Sequence, residues 1–378
     1  MYLARKLTVV SGLALSAASF AQVPDLVTAL DAGGRAMGAG GALSLTGIST
    51  LSTTHNPAAL GFVTRSEVGL AARTFPTSNS TVTGPLNDLQ TSTQTESGDF
   101  KVSHLGFTLP LKSRDGSRPV GALGVAWTTA GWFHDRQRGT NLPNGIALYD
   151  DFTRARTDFL NISFGHATSD YRFAWGVGFV FAQQNVRNSQ RINFSDTNIP
   201  PQLANSDRTG NGLGMQAGVM FTPSADSNIT FAASARTPIR IRNNAAGLSL
   251  YDRIPGRLAA GIAARRDGFR GGRDYLLLGA EVQHFFDGHH SPRIDRDEQT
   301  TGHFGAEYNM AYAGAVIPIR VGYAVVPSGG DGFRSRNALT YGIGYRPNNG
   351  DWTIEINFGS PQNGGRETGI FLSYRFGK

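Results

Sequence analysis

The sequence predicts an all-β protein, a transmembrane antiparallel β-barrel of about 14 strands with an N-terminal plug in its lumen. Three observations lead to this fold class. Apolar residues recur at every second position from Ser66 onward, most of these runs are long, and long connections alternate with short ones. A strand that crosses a bilayer at a tilt needs roughly nine to eleven residues, whereas ordinary strands average about five or six.

The first 21 residues have the features of a signal peptide. Arg5 and Lys6 supply positive charge, an apolar stretch follows from Leu7 to Phe20, and Ser19-Phe20-Ala21 offers the small residues of a cleavage site. The apolar stretch is too short to span a bilayer as a helix, and the sequence contains no longer one. We therefore expect an exported chain from which residues 1–21 are removed.

The composition fits this architecture and excludes several kinds of site. Charged residues make up 17% of the 378 residues, below the roughly 25% of a soluble domain. Glycine is abundant, with 48 residues, and cysteine is absent, which rules out disulfides, thiolate metal sites and cysteine nucleophiles. The formal net charge is +7, and it includes Arg5 and Lys6 of the signal peptide.

Fourteen runs of the sequence alternate between apolar and polar residues. Because fourteen is even, both ends of the barrel chain are expected on the periplasmic side, where connections are short. A soluble β-sandwich or propeller would have shorter strands and no alternation of link length. The predicted strands cover residues 66–76, 99–111, 119–132, 155–168, 171–187, 209–223, 227–240, 254–266, 273–287, 300–311, 316–327, 336–347, 351–360 and 367–377, and the long outer links cover residues 77–98, 133–154, 188–208, 241–253 and 288–299.

A glycine-rich segment, residues 22–65, precedes the first strand. It contains too many apolar residues for a disordered periplasmic tail, which is the alternative. Glycine permits tight turns and close backbone contact, so we expect residues 22–65 to fold back into the barrel, residues 66–378, as a plug or hatch. The apolar residues of the segment are Leu26, Val27, Leu30, Met37, Leu43, Leu45, Ile48 and Leu51.

Two stretches of this segment, Gly33–Ala42 and His55–Leu60, resemble a known family. They are similar to the N-terminal region of the FadL superfamily of outer-membrane proteins. That superfamily includes transporters of long-chain fatty acids and aromatic hydrocarbons, and also PorV/PorQ-like proteins associated with type IX secretion. The Arg-x-Met-Gly-x-Gly-Gly-Ala pattern is closer to the PorV side, and Asn-Pro-Ala is shared by both. Downstream stretches with the same likeness are Ile254–Arg265, Leu278–Val282, His303–Tyr308, Pro318–Tyr323 and Ser373–Gly377.

The resemblance implies a fourteen-stranded barrel with a plugged lumen, in agreement with the strand count. In the transporter branch, hydrophobic ligands are bound from outside and leave sideways through a gap in the wall. In the secretion branch, the barrel binds partner proteins. Relatives usually carry an acidic pair before the Asn-Pro-Ala triplet, whereas here that region, Leu43–Ile48, contains no acidic residue.

The plug or gate candidates are glycines of the first stretch and the Asn-Pro-Ala triplet. Pro57 fixes its own φ and the Asn56 side chain can cap a nearby backbone group, so the triplet predicts a turn. This turn can serve as a hinge of the plug or simply direct the chain into the first strand. Glycines of the third strand can kink the wall and open it laterally. The candidates are Gly38, Gly40, Gly41, Asn56, Pro57 and Ala58 in the plug, and Gly121, Gly124 and Gly131 in the strand.

Charged residues opposite the apolar face of the strands should point into the lumen. They can pair with one another and hold the plug, or one arginine can bind a ligand carboxylate with its bidentate guanidinium. The lumen-facing candidates are Glu281, Glu307, Arg320, Arg346, Glu355 and Arg375, accompanied by Gln283, Asn309 and Asn357.

The remaining polar clusters give weaker indications. Arginines near the outer links can contact lipopolysaccharide phosphates or be solvated singly. An acidic group beside two histidines can hold a cation, although it lacks the spacing of an EF-hand, and no metal site is predicted. Without a catalytic or phosphate-binding motif, we expect no enzyme, cofactor or nucleic-acid partner, and a Ser/His pair would have to use His104 or His166. The arginines are Arg136, Arg138, Arg154, Arg156, Arg240 and Arg242, and the acidic group is Asp295, Asp297 and Glu298 beside His289 and His290.

The sequence thus predicts an outer-membrane barrel, among membrane lipids and lipopolysaccharide, that binds or passes hydrophobic small molecules, fatty-acid-like or aromatic. The alternative is a PorV/PorQ-like partner protein in type IX-like secretion or surface attachment, and a purely structural barrel is a third possibility. An apolar pocket beside the plug would favour transport. A filled lumen with co-purifying partner proteins would favour the secretion role.

Overall fold

The chain forms a closed barrel of fourteen antiparallel strands, as the sequence predicts. The computed structural model describes residues 33–83, 90–112, 119–142, 145–224, 226–242, 253–286, 289–290, 295–328, 335, 337–362 and 366–377. The barrel strands, numbered in chain order, are β1 Ser66–Thr83, β2 Gln90–Lys112, β3 Pro119–Leu142, β4 Ile146–Ala167, β5 Phe173–Phe194, β6 Gln202–Phe221, β7 Ile229–Arg236, β8 Gly256–Phe269, β9 Asp274–Phe286, β10 Gln299–Tyr312, β11 Ala315–Val325, β12 Ala338–Pro347, β13 Trp352–Pro361 and β14 Glu367–Phe376.

Each strand pairs with the next one along the chain, and β14 pairs with β1 to close the wall. The closing register aligns Ser66 with Phe376 and Arg73 with Gly369. Both ends of the barrel chain therefore lie at one rim, the inner rim, which carries short turns such as residues 313–314. The opposite rim, the outer rim, carries the longest connections, as expected of the periplasmic and extracellular ends of such a barrel.

The outer surface of the wall is apolar. On β5, Phe173, Trp175, Phe179 and Phe181 are 39–49% exposed, while Ala174 and Val180 between them are fully buried. The same alternation continues around the barrel. Such a surface is unfavourable in water, but it matches the lipid-facing band of a transmembrane barrel, whose closed hydrogen bonding leaves no open edge in lipid. The chain is therefore a multi-pass outer-membrane barrel.

Strands β1–β6 extend far beyond this band, and here the predicted links are wrong. β2–β6 are 20–24 residues long, so most of the predicted links 77–98, 133–154 and 188–208 is strand. Above the membrane the outward face of a strand is in water and carries polar side chains such as Arg154, Arg156 and Arg187, so an apolar outward face no longer alternates with a polar inward one. The period of two that identifies a strand is therefore lost there.

β7 is shorter than predicted, because the chain turns into the lumen after Arg236. Ile239 lies against Gly212 and Gly214 on the inner face of β6, and it pairs with Ile254. Residues 237–242 and 253–255 are called the infolded segment below. They lie on the lumen side of β6, in place of a longer β7.

β2 and β3 separate part of the way up the wall. Their pairing ends at His104 and Thr128. Further out, β3 pairs in parallel with β1 instead, from Thr77 onward. Residues 129–133 of β3 thus have no strand partner on this edge within the described part of the chain, and β3 bulges at Ala130. This interval is called the wall break below.

Short helices precede β1. They are α1 Arg35–Gly38, α2 Ser52–His55 and a 3-10 helix Pro57–Phe62. Within the described ranges, no helix has the length and apolar character needed to cross a membrane.

Candidate functional site

The chain before β1 lies inside the barrel. Residues 33–63, called the inner segment, include Met37, Leu45 and Leu60, which are fully buried. Gly40 touches the backbone of β10 and β11, and Gly61 touches β4 on the other side of the barrel. Contact with opposite walls places the inner segment across the lumen.

The apolar residues of the predicted plug are mostly buried there. Leu43 and Leu51 are 2% and 5% exposed, whereas Ile48 is 42% exposed. Leu26, Val27 and Leu30 lie outside the described residues. The signal peptide, residues 1–21, also lies outside them, so the predicted domain boundaries stay predictions.

Glycines in the wall let the inner segment lie directly on the strands. Gly165, Gly176 and Gly218 are aligned across β4, β5 and β6. A Cβ at either of the first two would collide with the backbone of Pro57, and one at Gly218 would collide with the side chain of Asn56. This glycine row therefore determines where the 3-10 helix docks.

The predicted plug glycines make a second close contact, with β10–β13. Gly40 and Gly41 have φ angles of 68° and 89°, which glycine adopts without steric cost. A Cβ at Gly38 would collide with Asn357, and one at Gly41 would collide with His303. The ring of His303 in turn lies with Nδ1 2.7 Å from the carbonyl oxygen of Gly40. These glycines thus form a tight turn against the wall.

The Asn-Pro-Ala triplet caps the 3-10 helix. Asn56 Oδ1 accepts a hydrogen bond from Ala58 N at 3.1 Å, and Asn56 Nδ2 donates to Leu45 O at 2.9 Å. Pro57 is the first residue of the helix, where its missing N–H has no partner to lose. Asn56 therefore ties the helix to the preceding turn. A hinge role for the triplet stays a prediction.

A buried ion network joins the start of the inner segment to the wall. Arg320 donates from Nε to Glu307 Oε2 and from Nη2 to Glu355 Oε1, both at 2.7 Å. Arg35 of the inner segment donates to the two oxygens of Glu307 at 2.7 and 3.1 Å. The side chains of Arg320 and Glu307 are only 2% and 3% exposed. Glu307 is thus shared between wall and inner segment, which fixes their relative position.

Arg346 and Arg375 lie nearer the inner rim. Arg346 Nη2 donates to Tyr275 Oη at 3.1 Å and to Asn309 Oδ1 at 3.2 Å. Arg375 Nε pairs with Glu67 Oε2 at 2.7 Å. Together with the ion network they line a polar cavity of about 160 Å³. The structure thus places five of the six lumen-facing candidates around one cavity, namely Glu307, Arg320, Arg346, Glu355 and Arg375.

Glu281 lies elsewhere, against the middle of the inner segment. Its carboxylate accepts hydrogen bonds from Ser44 Oγ at 2.6 Å and from Leu45 N at 2.9 Å. The region Leu43–Ile48 has no acidic residue of its own. In this chain the polar groups of this region donate instead to a carboxylate of the wall, that of Glu281.

Further out, the lumen contains an apolar cluster. Its buried members come from β4, β5 and the infolded segment, and the partly buried Ala130 of the wall break packs against them. The cluster therefore reaches from the lumen to the wall break. Its buried members are Phe159, Val180, Ala182, Ile239, Ile241 and Ile254.

Two arginines that the sequence analysis missed lie beside this cluster. Arg236 and Arg257 are direct cross-strand partners on β7 and β8. The guanidinium of Arg236 is 5.1 Å from the ring centroid of Phe159, and Arg257 Nη2 donates to His55 O at 2.7 Å. Among the described residues, neither has a carboxylate within salt-bridge distance. Both stand at inward positions of predicted strands, so strict counting of alternate positions would have found them.

The two candidate histidines make structural contacts. His104 is buried at the end of the β2–β3 pairing, with Nε2 3.1 Å from Thr50 Oγ1 and Nδ1 3.0 Å from Thr128 Oγ1. His166 contacts the carbonyl oxygen of Val120 through Nδ1. His104 therefore links the inner segment to the edge of the wall break.

The third-strand glycines have different surroundings. Gly124 faces Thr53 and Leu60 of the inner segment, and Gly121 lies against the backbone of Gly165. Gly131 follows the bulge of β3 directly. Of the three, Gly131 is the one within the wall break.

The acidic group lies at the outer rim, where His289–His290 pairs with Asp295–Arg296 through the backbone. The side chains of these four residues lie outside the described part of the molecule. Asp297 and Glu298 are exposed. Within the described residues, no three His, Asp or Glu side chains come together as metal ligands.

A second cavity, of about 490 Å³, is apolar. It opens on the lipid-facing side of β6–β9, so it is not an apolar pocket beside the inner segment. Residues that line it include Ala217, Ala233, Leu258, Ala260 and Val282.

Two solved structures share this fold. A FadL homologue of Pseudomonas aeruginosa is 16% identical, with a TM-score of 0.58, and the match covers 92% of this chain and 98% of that one. The Pseudomonas putida toluene transporter TodX is 12% identical, with a TM-score of 0.58, and the match covers 90% and 96% of the two chains. No protein-family model matches this sequence, and no curated protein sequence matches it.

These likenesses support the FadL side of the resemblance and give no support to the PorV-like side. At 12–16% identity they establish the architecture of the wall and leave the activity to be argued from the residues. The chain therefore has the FadL-like β-barrel fold.

Proposed function

We propose that the barrel binds hydrophobic small molecules and passes them across the outer membrane. The observation that carries this proposal is the apolar cluster, which continues through Ala130 to the wall break. The free energy of a hydrophobic molecule falls when it moves from water to such a surface. Exit through the wall break would take it into the membrane at the outer boundary of the apolar band and avoid the polar cavity at the inner rim. The similar fold of a toluene transporter supports the same reading.

The arginine pair beside the cluster suits a ligand that also has a polar or aromatic group. Arg236 and Arg257 present guanidinium donors without a carboxylate partner in the described residues. A guanidinium binds a carboxylate in a bidentate fashion, and it also stacks favourably on an aromatic ring. Fatty-acid-like and aromatic ligands therefore both fit the chemistry of this region.

The inner segment serves in this proposal as the plug, and the infolded segment serves as the part that moves. The lumen is packed at both levels, since Leu60 of the inner segment and Ile239 of the infolded segment are fully buried. The ion network of Glu307 holds the inner segment in place. Entry of a ligand therefore requires displacement of the infolded segment, which has apolar contacts with β4 and β5.

The experiment compares uptake of radiolabelled toluene and oleate by cells with and without the protein. Ala130→Trp should fill the wall break and remove most of the uptake. The matched control is Ala204→Trp, at an exposed position near the outer end of β6, and it should leave uptake unchanged. Equal uptake with and without the protein would overturn the transport function. Full uptake by Ala130→Trp would overturn only the wall break as the route.

A further inference from the structure

The outward face of β3, β4 and β5 becomes strongly basic just beyond the apolar band. On β4 the band ends at Leu160, and the next outward residues toward the outer rim are Asp158, Arg156 and Arg154. On β5 the same face reaches Arg187 after two polar residues. Over the three strands this face carries six arginines, Arg136, Arg138, Arg154, Arg156, Arg187 and Arg191, and two aspartates, Asp150 and Asp158.

The two aspartates neutralise some of these arginines. Arg136 and Arg138 share Asp150, at 2.7 and 3.7 Å. Arg156 pairs with Asp158 at 2.7 Å. Both carboxylates are thus already paired, and the remaining arginines give this face a net positive charge.

Arg154 and Arg187 face each other within this patch. They are direct cross-strand partners on the same face of β4 and β5. Like charges in that position destabilise a sheet, and in the described part of the chain no carboxylate lies within salt-bridge distance of either guanidinium. Asp207, the partner of Arg187 on β6, accepts a hydrogen bond from Asn185 at 3.2 Å instead. An anion from outside the chain would therefore stabilise the pair.

The height of the pair on the wall indicates which anion this is. The guanidinium carbons of Arg154 and Arg156 lie 5.6 and 5.7 Å from the ring centroid of Trp132. Tryptophan side chains on the outside of a barrel mark the membrane–water interface. Arg154 and Arg187 thus stand at the level of lipid head groups, and the apolar band begins directly below them.

We propose that Arg154 and Arg187, with Arg156 below them, bind a phosphate group of a phosphorylated outer-leaflet glycolipid, the lipid A part of lipopolysaccharide. The planar guanidinium fork matches phosphate oxygens in a bidentate geometry. The acyl chains of the same lipid lie along the apolar band, against Leu160 and Phe181, which are 41% and 44% exposed. The site is on the outside of the barrel and is separate from any ligand in the lumen.

The experiment titrates the full-length protein in detergent micelles with fluorescent bisphosphorylated lipid A. Arg154→Gln/Arg187→Gln should weaken binding at least about tenfold, because charge-assisted hydrogen bonds to phosphate are lost. The matched control, Arg266→Gln/Arg273→Gln, removes two exposed arginines at the inner rim and should leave the affinity unchanged. Heat-modifiable migration on a gel shows whether each variant is a folded barrel.

A second measurement tests the wild-type protein without any substitution. Lipid A from which both phosphates have been removed should bind about tenfold more weakly than the intact lipid. Equal binding of the two lipids would overturn the site, as would equal loss in the inner-rim control. Displacement of lipid A by inorganic phosphate at matching concentrations would overturn the assignment to a lipid, because it would indicate a general anion site.

Discussion

The two sides of the lumen hold the inner segment through different kinds of interaction. On β10–β13 the contact is ionic, since Glu307 binds Arg35 of the inner segment and Arg320 of the wall. On β4–β6 the glycine row lies against Pro57, Ser163 and Gln216 donate hydrogen bonds to Thr53 O, and no ion pair joins the inner segment to these strands among the described residues. Separating buried ions leaves uncompensated charge, whereas separating the inner segment from β4–β6 loses dispersion contacts and hydrogen bonds between neutral groups, which costs less per contact. We therefore expect the 3-10 helix, and not α1, to leave the wall first.

The largest expected effect comes from breaking the ionic side. Arg320→Met would leave Glu307 and Glu355 buried without their shared partner, and it should lower the free energy of unfolding by about 3–5 kcal/mol. Urea unfolding of the barrel in lipid vesicles measures this loss. Arg346→Met is the control, because Arg346 donates hydrogen bonds to Tyr275 and Asn309 and has no ion pair among the described residues, so its loss should cost about 1–2 kcal/mol. Similar losses for both variants would contradict an ionic anchor.

A smaller effect is expected from the glycine side. Gly176→Val would force the 3-10 helix off β5 and should cost about 1–3 kcal/mol, as overpacking does. Amide hydrogen exchange should become faster in residues 57–62 and stay unchanged in residues 35–38. The control is Gly302→Val on β10, where the nearest atoms to a Cβ are 3.8 Å away. Equal exchange in the two variants would show that the glycine row does not position the helix.

The smallest effect concerns an ion pair in water, which serves as a reference for the buried one. Arg136 donates to both carboxylate oxygens of Asp150, at 2.9 and 2.7 Å, and this hydrogen bonding lowers the pKa of Asp150 below its ordinary value. The contact therefore stabilises the outer ends of β3 and β4 above the unfolded-state pKa. This stabilisation is lost as the pH falls through the lowered folded-state pKa.

Because this pair is partly exposed, its loss should cost less than about 1 kcal/mol. Hydrogen exchange at the β3–β4 tip, corrected for the intrinsic pH dependence, measures the opening on acidification. Asp150→Asn should remove the pH dependence. If the dependence persists in that variant, another group is responsible for it.

The membrane part of the fold could be predicted because lipid imposes a simple rule on each strand. β13 was expected at residues 351–360 and spans Trp352–Pro361, since its apolar face must alternate with a lumen face. The outer part of β3 obeys no such rule. Arg136 and Arg138 lie on a strand, but their neighbours in sequence are also polar, and only pairing with β4 shows the strand.

The same rule of alternation makes only part of the candidate site predictable. Alternation places Glu307 and Arg320 inward, but Arg35 lies in a segment without periodicity and meets Glu307 across 272 positions of the chain. The wall break left only an indirect trace, Gly131, because it arises from a change of strand partner. Pairing of β3 with β1 is a tertiary event that no local pattern encodes.

The seam between β1 and β14 has a consequence for how the molecule is made. It joins Glu67 to Arg375, which are 308 positions apart. The first strand therefore keeps one edge unpaired until β14 has been exported. A barrel that lacks β14 would expose two unpaired strand edges in the bilayer, where each missing hydrogen bond costs several kcal/mol. Closure of the wall, and with it stable insertion in the membrane, thus depends on the arrival of β14.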